Sequence, residues 1–379
     1  MKKILLHKVL PIVILAAMAL LGGTFISAPE SLSDAVETPS PVLDATPEPT
    51  STPSPTPEPT PEPTPEPEPE YFTISMVGDC TLASVPYYVG TPSGYDTVVG
   101  DDYAYPFAKT VQFFSDDDFT FANLECCLTD SDSPVAKTFT FKAKTDYAKI
   151  MSEGGVDFVT LANNHILDYG DKGAADTEAA LDEVGVGYVG RDEYAVYETE
   201  SGLRIGIYAV SFGTVDQIKA GIKALQDEGA EFIIAALHWG DEGSYKVNSD
   251  QVTQGHAAID AGADIVYGSH PHTLQPVEEY NGHYIYYSMG NWTFGGNTDP
   301  RDKDTFILRL TVERAPDGTV SVCDREVIPC ASSGTPSGNN YQPTPYDEGS
   351  EGYERVLKKL DGSFDGQDLS ISYTYSANE

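Results

Sequence analysis

The chain has 379 residues, of which 40% are hydrophobic, enough to build the core of one large domain with further segments attached. Its 59 acidic and 22 basic residues give a formal net charge of -37 at pH 7. Nucleic acids and anionic lipid surfaces both select basic protein surfaces, so this charge argues against binding to either. The charge suits a soluble domain in a cation-rich environment, although solubility alone would also explain it.

Residues 1–28 have the charge pattern of an export signal. Three lysines within the first eight residues precede an apolar segment at 9–28, and no further Lys or Arg occurs before Lys109. The apolar segment, about 20 residues long, is sufficient to span a bilayer, whereas the small-residue cleavage site at its end is poor. We therefore expect an uncleaved signal anchor in the cell membrane, with the domain extracellular. A cleaved signal peptide, which would release a secreted protein, is the alternative.

Residues 29–70 consist mainly of Pro, Glu, Thr and Ser, with a Thr-Pro-Glu-Pro repeat at 56–70. Such a segment cannot bury a core, and its alternate prolines favour an extended polyproline conformation of about 3.1 Å per residue. We expect a disordered linker that holds the folded domain away from the membrane. A partner-binding Pro-rich motif is disfavoured, because the repeat lacks basic or aromatic residues that would give specificity.

Residues 71–330 carry the pattern of an α/β domain. Short apolar runs rich in Val, Ile, Phe and Tyr predict buried strands. These runs lie at 71–77, 119–122, 158–161, 232–237, 264–267 and 284–288. Helical spacing of apolar residues, ending at glycines, predicts helices between the strands. These helices lie at 145–154, 173–184, 215–228 and 249–261. The alternation indicates a layered α/β sheet.

After residue 264 the pattern becomes antiparallel. The dipeptides Asn281-Gly282 and Asp317-Gly318 each separate two strand-like runs and are typical of tight hairpin turns. The remaining tail, 331–379, is polar, and we expect little regular structure in it apart from a short helix at 353–360.

Five cysteines occur in the chain, at Cys80, Cys126, Cys127, Cys323 and Cys330. An odd number in an exported protein leaves at least one thiol unpaired within the chain. Cys323 and Cys330 flank a strand-like run and could pair with each other. The absence of a Cys-x-x-Cys spacing disfavours a thiolate zinc site, so we expect the other three to be small packing residues.

Six polar clusters each follow one of the apolar runs. They are Gly78-Asp79, Asn123-Leu124-Glu125, Asn163-Asn164-His165, His238-Trp239-Gly240, His270-Pro271-His272 and Gly290-Asn291. In an open α/β sheet, ligands bind just outside the carboxyl ends of the strands, so these clusters can meet there. Converging carboxylates and imidazoles are costly to bury unless a cation satisfies them. The clusters therefore predict one metal site.

The predicted ligand set mixes oxygen and nitrogen donors, which suits Mn, Fe or Zn better than Ca or Mg. Its members are Asp79, Glu125, Asn164, His238, His270 and His272. Six ligands exceed one tetrahedral site, so we expect two divalent ions with the Glu125 carboxylate bridging them. His165 follows a candidate ligand without being needed as one, and we expect it to donate a proton to a leaving oxygen. A fifth histidine, His283, lies on a hairpin and is expected to be structural.

The chain resembles the CapA family of bacterial capsule synthesis, or poly-gamma-glutamate biosynthesis, proteins in an ordered set of motifs: MVGD, ANLE, LANNH, LHWGDE, GSHPH and YSMGN. The resemblance covers about 72–330. The family's domain is similar to the calcineurin-like metallophosphoesterases, which implies a four-layered α/β/β/α sandwich with a dinuclear metal site.

The resemblance also implies individual roles. Asn164 with His165 matches the Asn-His pair of the phosphoesterases, and His238 matches their isolated metal-binding histidine. The closing His-x-His motif corresponds to His270 and His272. The Asp of their first motif corresponds to Asp79.

Two departures from the phosphoesterase pattern bear on activity. Thr81 stands where a histidine usually follows the first Asp, and Asn123-Leu124-Glu125 replaces the second motif, Gly-Asp-x-x-Asp or Gly-Asp-x-x-His. One metal position would then be held by fewer ligands. Generic phosphatase activity is therefore in doubt, whereas a divergent hydrolase is still consistent with the motifs.

Two classes of function follow. The first is a surface hydrolase or transferase that acts on a phosphoryl, ester or amide bond during assembly of an anionic polymer, with a surface metallophosphoesterase as a variant. Its substrate would be an anionic polymer or a phosphorylated small molecule. The second is a metal-stabilised accessory protein that binds the polymer, or a polymer-synthase complex in the membrane, without chemistry.

Overall fold

The computed structural model describes residues 68–369. The predictions for the signal anchor at 1–28, for nearly all of the linker at 29–70 and for the end of the tail at 370–379 lie outside this range. Within 68–369, no helix has both the length and the apolar character needed to cross a membrane.

The described chain alternates strands and helices. The strands are β1 (Glu70–Thr81), β2 (Phe119–Leu124), β3 (Cys127–Leu128), β4 (Lys142–Ala143), β5 (Phe158–Thr160), β6 (Gly187–Val189), β7 (Glu193–Glu198), β8 (Arg204–Ser211), β9 (Phe232–His238), β10 (Ile265–Ser269), β11 (Val277–Tyr280), β12 (His283–Tyr286), β13 (Asn291–Phe294), β14 (Asp304–Arg314), β15 (Val320–Ala331) and β16 (Thr344–Pro345). The helices are α1 (Tyr95–Val99), α2 (Ala148–Glu153), α3 (Gly170–Val184), α4 (Val215–Asp227), α5 (Ser249–Ala261) and α6 (Glu351–Leu360). Each predicted strand and helix has its counterpart here.

Two large mixed sheets organise these strands. The first has the order β16-β15-β14-β1-β2-β5-β6, with β13 pairing alongside β1, and the second has the order β11-β12-β10-β9-β8-β7. The central strands β1, β2, β5 and β6 of the first sheet, and β8, β9, β10 and β12 of the second, are parallel. Carboxyl ends of parallel strands lie at one edge of a sheet, so the polar clusters after β1, β2 and β5 are brought together.

Both hairpins predicted from turn dipeptides are confirmed, since β11 pairs with β12 and β14 pairs with β15 in antiparallel register. The broader expectation of an antiparallel region after residue 264 is wrong in part. β12 runs parallel to β10, and β13 runs parallel to β1. A turn signal identifies the partner within a hairpin but not the strand on which the hairpin docks.

Alternation along β8 places its side chains in two different cores. Ile205 and Ile207 pack in a cluster that also contains Phe72 and Ile74 of β1, so this cluster lies between the two sheets. Tyr208 belongs to another cluster, shared with apolar residues of α4 and α5. A third cluster joins the first sheet to α2 and α3. The prediction of a sheet-rich α/β fold is confirmed.

The predicted helix at 353–360 is confirmed as α6, but the segment around it is better ordered than the sequence suggests. Val356 and Leu360 are buried in the cluster between the sheets. Lys359 is buried as well, and its ammonium lies 2.7 Å from the Asp302 carboxylate and 2.7 Å from that of Asp304. A polar composition conceals this packing, because the charged side chains find their partners only in the tertiary structure.

All five cysteines are free thiols. The pairing considered for Cys323 and Cys330 is wrong, because both residues lie on the extended strand β15. Seven residues at about 3.3 Å each separate their Cα atoms by roughly 23 Å, far beyond disulfide reach.

Candidate metal and acid-base site

The strand ends that carry the polar clusters meet at one place. In the first sheet, Asp79 of β1 lies opposite Asn123 of β2 and Asn291 of β13. In the second sheet, His238 ends β9 opposite Ser269, the last residue of β10. Glu125 directly follows β2, and the loops that follow β5 and β10 add the other candidates. Residues that are far apart in sequence are thus neighbours at the edges of the two sheets.

Three of the six predicted ligands, Glu125, His270 and His272, form the centre of the cluster. Each has a donor atom within 4.8 Å of a donor atom of the other two. Glu125 and His270 are buried, yet Oε1 of Glu125 and Nδ1 of His270 have no hydrogen-bond partner. Buried polar atoms without partners are costly, so these two atoms fit a role as metal ligands.

Asp79 joins this centre from the first sheet and is fully buried. Its Oδ2 lies 3.1 Å from Nδ1 of His272, and its Oδ1 accepts a 2.9 Å hydrogen bond from the Asn123 amide. The same amide donates to Oε2 of Glu125 at 3.4 Å. Asn123 therefore orients the two carboxylates toward each other, a role that its place in the sequence did not reveal.

His238 and Asn164 complete the predicted ligand set from the side of β9 and β5. Nε2 of His238 lies 3.0 Å from Oδ1 of Asn164 and 3.6 Å from Oε1 of Glu125. Nδ1 of His238 is 2.9 Å from the Ser269 hydroxyl, which fixes the orientation of the ring. The structure thus brings all six predicted ligands into one cluster, in which Asn164 and His272 are half-buried and the other four are buried.

The electrostatics of the cluster favour a bound cation. Burial raises the pKa of the Glu125 carboxyl well above its usual range, and the Asp79 charge adds to this, while His272 opposes it. Burial alone would lower the pKa of His272, but the carboxylates of Glu125 and Asp79 outweigh it and raise this pKa to about 10. Burial and neighbouring imidazoles lower the pKa of His238 and of His270 well below the ordinary value. Neutral imidazoles are the form in which histidine binds metals, so His238 and His270 suit divalent transition-metal ions, whereas a metal bound at His272 would take the place of its proton.

Backbone strain accompanies the His-x-His motif. His270 has φ = 96° and His272 has φ = 58°, in a region that residues other than glycine rarely adopt. Such conformations persist where the surrounding structure imposes them, and they concentrate at functional sites.

His165 lies beside the cluster rather than in its centre. Its Nδ1 is 2.7 Å from Oδ2 of Asp168, and the Lys137 ammonium bridges Oδ1 of Asp168 at 3.0 Å and the Asn164 carbonyl at 2.8 Å. Burial lowers the pKa of His165, while the Asp168 carboxylate raises it in part. Sequence reasoning missed Lys137 and Asp168. The position of Asp168, three residues after His165, was a usable signal, whereas Lys137 lies in an irregular loop without a pattern.

A cavity of about 300 Å³ opens onto this site. His165, His272 and Asn291 line its inner end, and Glu242, from the LHWGDE motif, lines another part. Five aromatic rings form a large part of the wall: Tyr87, Tyr88, Phe139, Phe141 and Phe294. A substrate in this cavity would contact both the candidate proton donor, His165, and one candidate metal ligand, His272.

The fold and site define a class of protein: a sheet-rich α/β domain with a buried histidine and carboxylate cluster at its strand ends. The profile of a family described as "Bacterial capsule synthesis protein PGA_cap" matches residues 73–296, more than half of the chain, and the chain belongs to this family.

Among known relatives, the chain is 29% identical over 274 residues to the "Capsule biosynthesis protein CapA" of Bacillus anthracis, covering 63% of this chain and 64% of that protein. It is 28% identical over 263 residues to the "PGA biosynthesis protein CapA" of Bacillus subtilis, covering 62% and 66%. The chain therefore spans slightly less than two thirds of both relatives. The solved structure of the sulfate thiohydrolase SoxB from Thermus thermophilus aligns with a TM-score of 0.38 and 11% identity, over 76% of this chain and 59% of that one. A structural likeness at this level is too weak to support a functional argument.

Proposed function

We propose that this protein is a metal-dependent hydrolase of the cell surface that acts in the synthesis or export of an anionic capsule polymer, with poly-gamma-glutamate as its polymer. The names of the two Bacillus relatives, a capsule biosynthesis protein and a PGA biosynthesis protein, support the pathway. The helical layers outside the two packed sheets support the α/β/β/α sandwich of metallophosphoesterases as the scaffold.

The observation that carries the proposal is the buried cluster with unpartnered donor atoms on Glu125 and His270. Two divalent ions, Mn, Fe or Zn, would be held by the six predicted ligands, Glu125 among them. These ligands are Asp79, Glu125, Asn164, His238, His270 and His272. When bound, the ions would supply Lewis acidity toward an oxygen of the scissile phosphoryl, ester or amide group.

The other residues of the site would bind and protonate the substrate. Asp168 engages Nδ1 of His165 and stabilises the protonated ring, from which Nε2 could pass a proton to the leaving group. Lys137 holds Asp168 in place through its 3.0 Å ion pair. The aromatic wall of the cavity would exclude water from the reacting bond.

Localisation is part of the proposal. The segment at 9–28 would anchor the protein in the cell membrane, and the linker at 29–70 would place the domain on the extracellular side. A membrane complex with the polymer synthase would deliver the growing chain to the cavity.

A second function, a metal-stabilised accessory protein without turnover, is favoured by one specific departure. Thr81 occupies the position of a usual metal-binding histidine of phosphoesterases, and it is fully buried at the end of β1. A site with one weakly held ion would still stabilise the fold while lacking the second ion needed for turnover. A divergent surface metallophosphoesterase acting on a phosphorylated small molecule is the variant of the first function.

Metal analysis tests the site directly. The purified full chain should contain more than one equivalent of transition metal, and the His270→Ala, His272→Ala double variant should lose most of it. The variant His256→Ala is the matched control, because His256 stacks on Tyr280 away from the cluster and its loss should leave the metal content unchanged. Full metal retention in the double variant would contradict the assignment.

A further inference from the structure

A second cavity, of about 650 Å³, adjoins the one that opens onto the metal-ligand cluster. The two cavities share three wall residues, Pro300, Arg301 and Asp302, and are therefore neighbours along one surface. A ligand longer than a single sugar or amino acid could occupy both at once.

The wall of this second cavity is cationic in a strongly acidic protein. Four basic side chains line it, Arg301, Lys303, Arg355 and Lys359. Only two carboxylates, those of Asp299 and Asp302, line it with them. With 22 basic residues against 59 acidic ones in the whole chain, such a concentration of positive charge is not expected from composition.

Two of the four cations have an internal structural role. Arg355 donates two hydrogen bonds to Asp304, at 2.6 and 2.7 Å, and Lys359 forms ion pairs with Asp302 and Asp304. These contacts neutralise both cations and fix α6 against β14. They form the rigid floor of the cavity and are not available to a ligand.

Arg301 and Lys303 are different, since neither forms an ion pair with a carboxylate within residues 68–369. Lys303 Nζ donates to the backbone carbonyls of Thr335 at 2.9 Å and Gly338 at 2.7 Å, and Arg301 Nη2 donates to that of Leu369 at 2.7 Å. These bonds hold the charges in position without neutralising them. Side chains fixed in this way lose little entropy when an anion binds.

A third cation, Lys109, lies beside the cavity, next to one of its wall residues. The Lys109 ammonium is 3.5 Å from the position that a Cβ on Gly334 would take, and Gly334 is a wall residue. Lys109 also forms no ion pair with the carboxylates of the described chain. Arg301 and Lys303 therefore line this cavity, and Lys109 lies beside it, without an ion-pair partner among residues 68–369, against a single wall carboxylate, Asp299, that is likewise unpaired there. Arg301 also lies at the boundary of the other cavity.

We propose that the second cavity is a subsite for carboxylates of an extended polyanion, which positions a neighbouring bond of the same chain at the metal-ligand cluster. The identity of the polymer as poly-gamma-glutamate rests on the proposed function. The subsite explains how a protein with a net charge of -37 attracts a polyanion, because salt screens distant surface charges and the cations at the cavity act on a bound carboxylate at short range. Carboxylates and phosphates share this binding chemistry, and the experiment separates them.

The test measures binding to the full chain by fluorescence anisotropy, at low and at physiological salt, first on the protein as purified and then after metal has been removed with a chelator. The probe is a labelled decamer of gamma-linked glutamate, with polyphosphate of equal charge as the second arm. Arg301→Gln and Lys109→Gln should each weaken binding of the glutamate probe about fivefold, as expected for partly exposed ion pairs, and added salt should weaken it further. Lys219→Gln, which removes an exposed cation on α4, is the matched control and should change binding less than twofold.

Lys303→Gln should have the largest effect, but it also removes two bonds to the 335–338 loop, so the other two variants carry the conclusion. Equal binding by Arg301→Gln, Lys109→Gln and the control would overturn the subsite. Tighter binding of polyphosphate than of the glutamate decamer would overturn the ligand class. Binding that disappears with the metal would assign it to the metal cluster instead. Normal subsite binding by a protein without hydrolytic activity would contradict only the proposed hydrolase.

Discussion

Replacing His165 by Asn separates proton transfer from metal binding and from folding. His165 is not a candidate ligand, and its main polar contact is the 2.7 Å bond with Asp168. In the variant, Asp168 keeps the Lys137 ammonium at 3.0 Å and the backbone N–H of Phe141 at 2.8 Å. The substitution therefore removes about one hydrogen bond, worth about 1 kcal/mol of unfolding free energy, and the protein should fold.

The effect on turnover should be much larger than the effect on stability. A positioned general acid contributes roughly 100-fold or more to the rate, which corresponds to about 3 kcal/mol of activation free energy. We expect His165→Asn to retain its metal while polymer output in cells carrying only this variant falls accordingly. The assay compares output and metal content with those of Asp79→Ala and His238→Ala, which should lose both. No knowledge of the substrate is required.

The decisive result is the behaviour of His165→Asn when its metal content is normal. Polymer output equal to that of the wild type would refute the catalytic role of His165. In that case Asp79→Ala and His238→Ala should still abolish output by releasing the metal, and the accessory function would be favoured.

Three further predictions concern stability and anchoring. Lys359→Ala should lower the free energy of unfolding by about 3 kcal/mol, because it leaves the buried Asp304 without one of its cations. Lys358→Ala, at an exposed position, is the control and should change the free energy of unfolding by less than about 0.5 kcal/mol. Chemical denaturation measures both variants, and equal effects would contradict the role of the buried pair. Burial raises the pKa of Asp264 to about 6, so its contribution to stability is present at low pH and is lost as pH rises from about 4 through 6. Asp264→Asn should therefore raise the free energy of unfolding by up to roughly 3 kcal/mol at pH 8 but not at pH 4. A difference between variant and wild type that does not change with pH would contradict the raised pKa. If the segment at 9–28 is an uncleaved anchor, the protein should fractionate with membranes and be released by proteolysis in the linker, whereas a soluble exported form beginning near Pro29 would indicate a cleaved signal peptide.

The local sequence pattern was sufficient to predict the strands and helices, and to predict which residues are candidates for the site. The apolar runs that became β1, β2, β9 and β10, and the turn dipeptides at residues 281–282 and 317–318, carry their signals within a few neighbouring residues. The polar clusters were visible for the same reason, since each one follows an apolar run closely in the sequence. Their meeting at one place followed from a general property of parallel sheets rather than from any single residue.

Pairing between distant segments was decided only by the tertiary structure. Nothing near His283 in the sequence shows that β12 runs parallel to β10, and the separation of Cys323 from Cys330 depends on both lying on one extended strand. The partners of Lys359 are more than 50 residues away, so the tail appeared merely polar.

The same limit applies to the chemistry of the site. The sequence by itself determined which residues could bind metal, because donor types and strand ends are local properties. It did not determine that Lys137 and Asp168 would hold His165, or that Arg301 and Lys303 would line the cavity without ion-pair partners among residues 68–369. Those properties depend on the distances between side chains and on their burial, and only the folded arrangement of the chain sets these quantities.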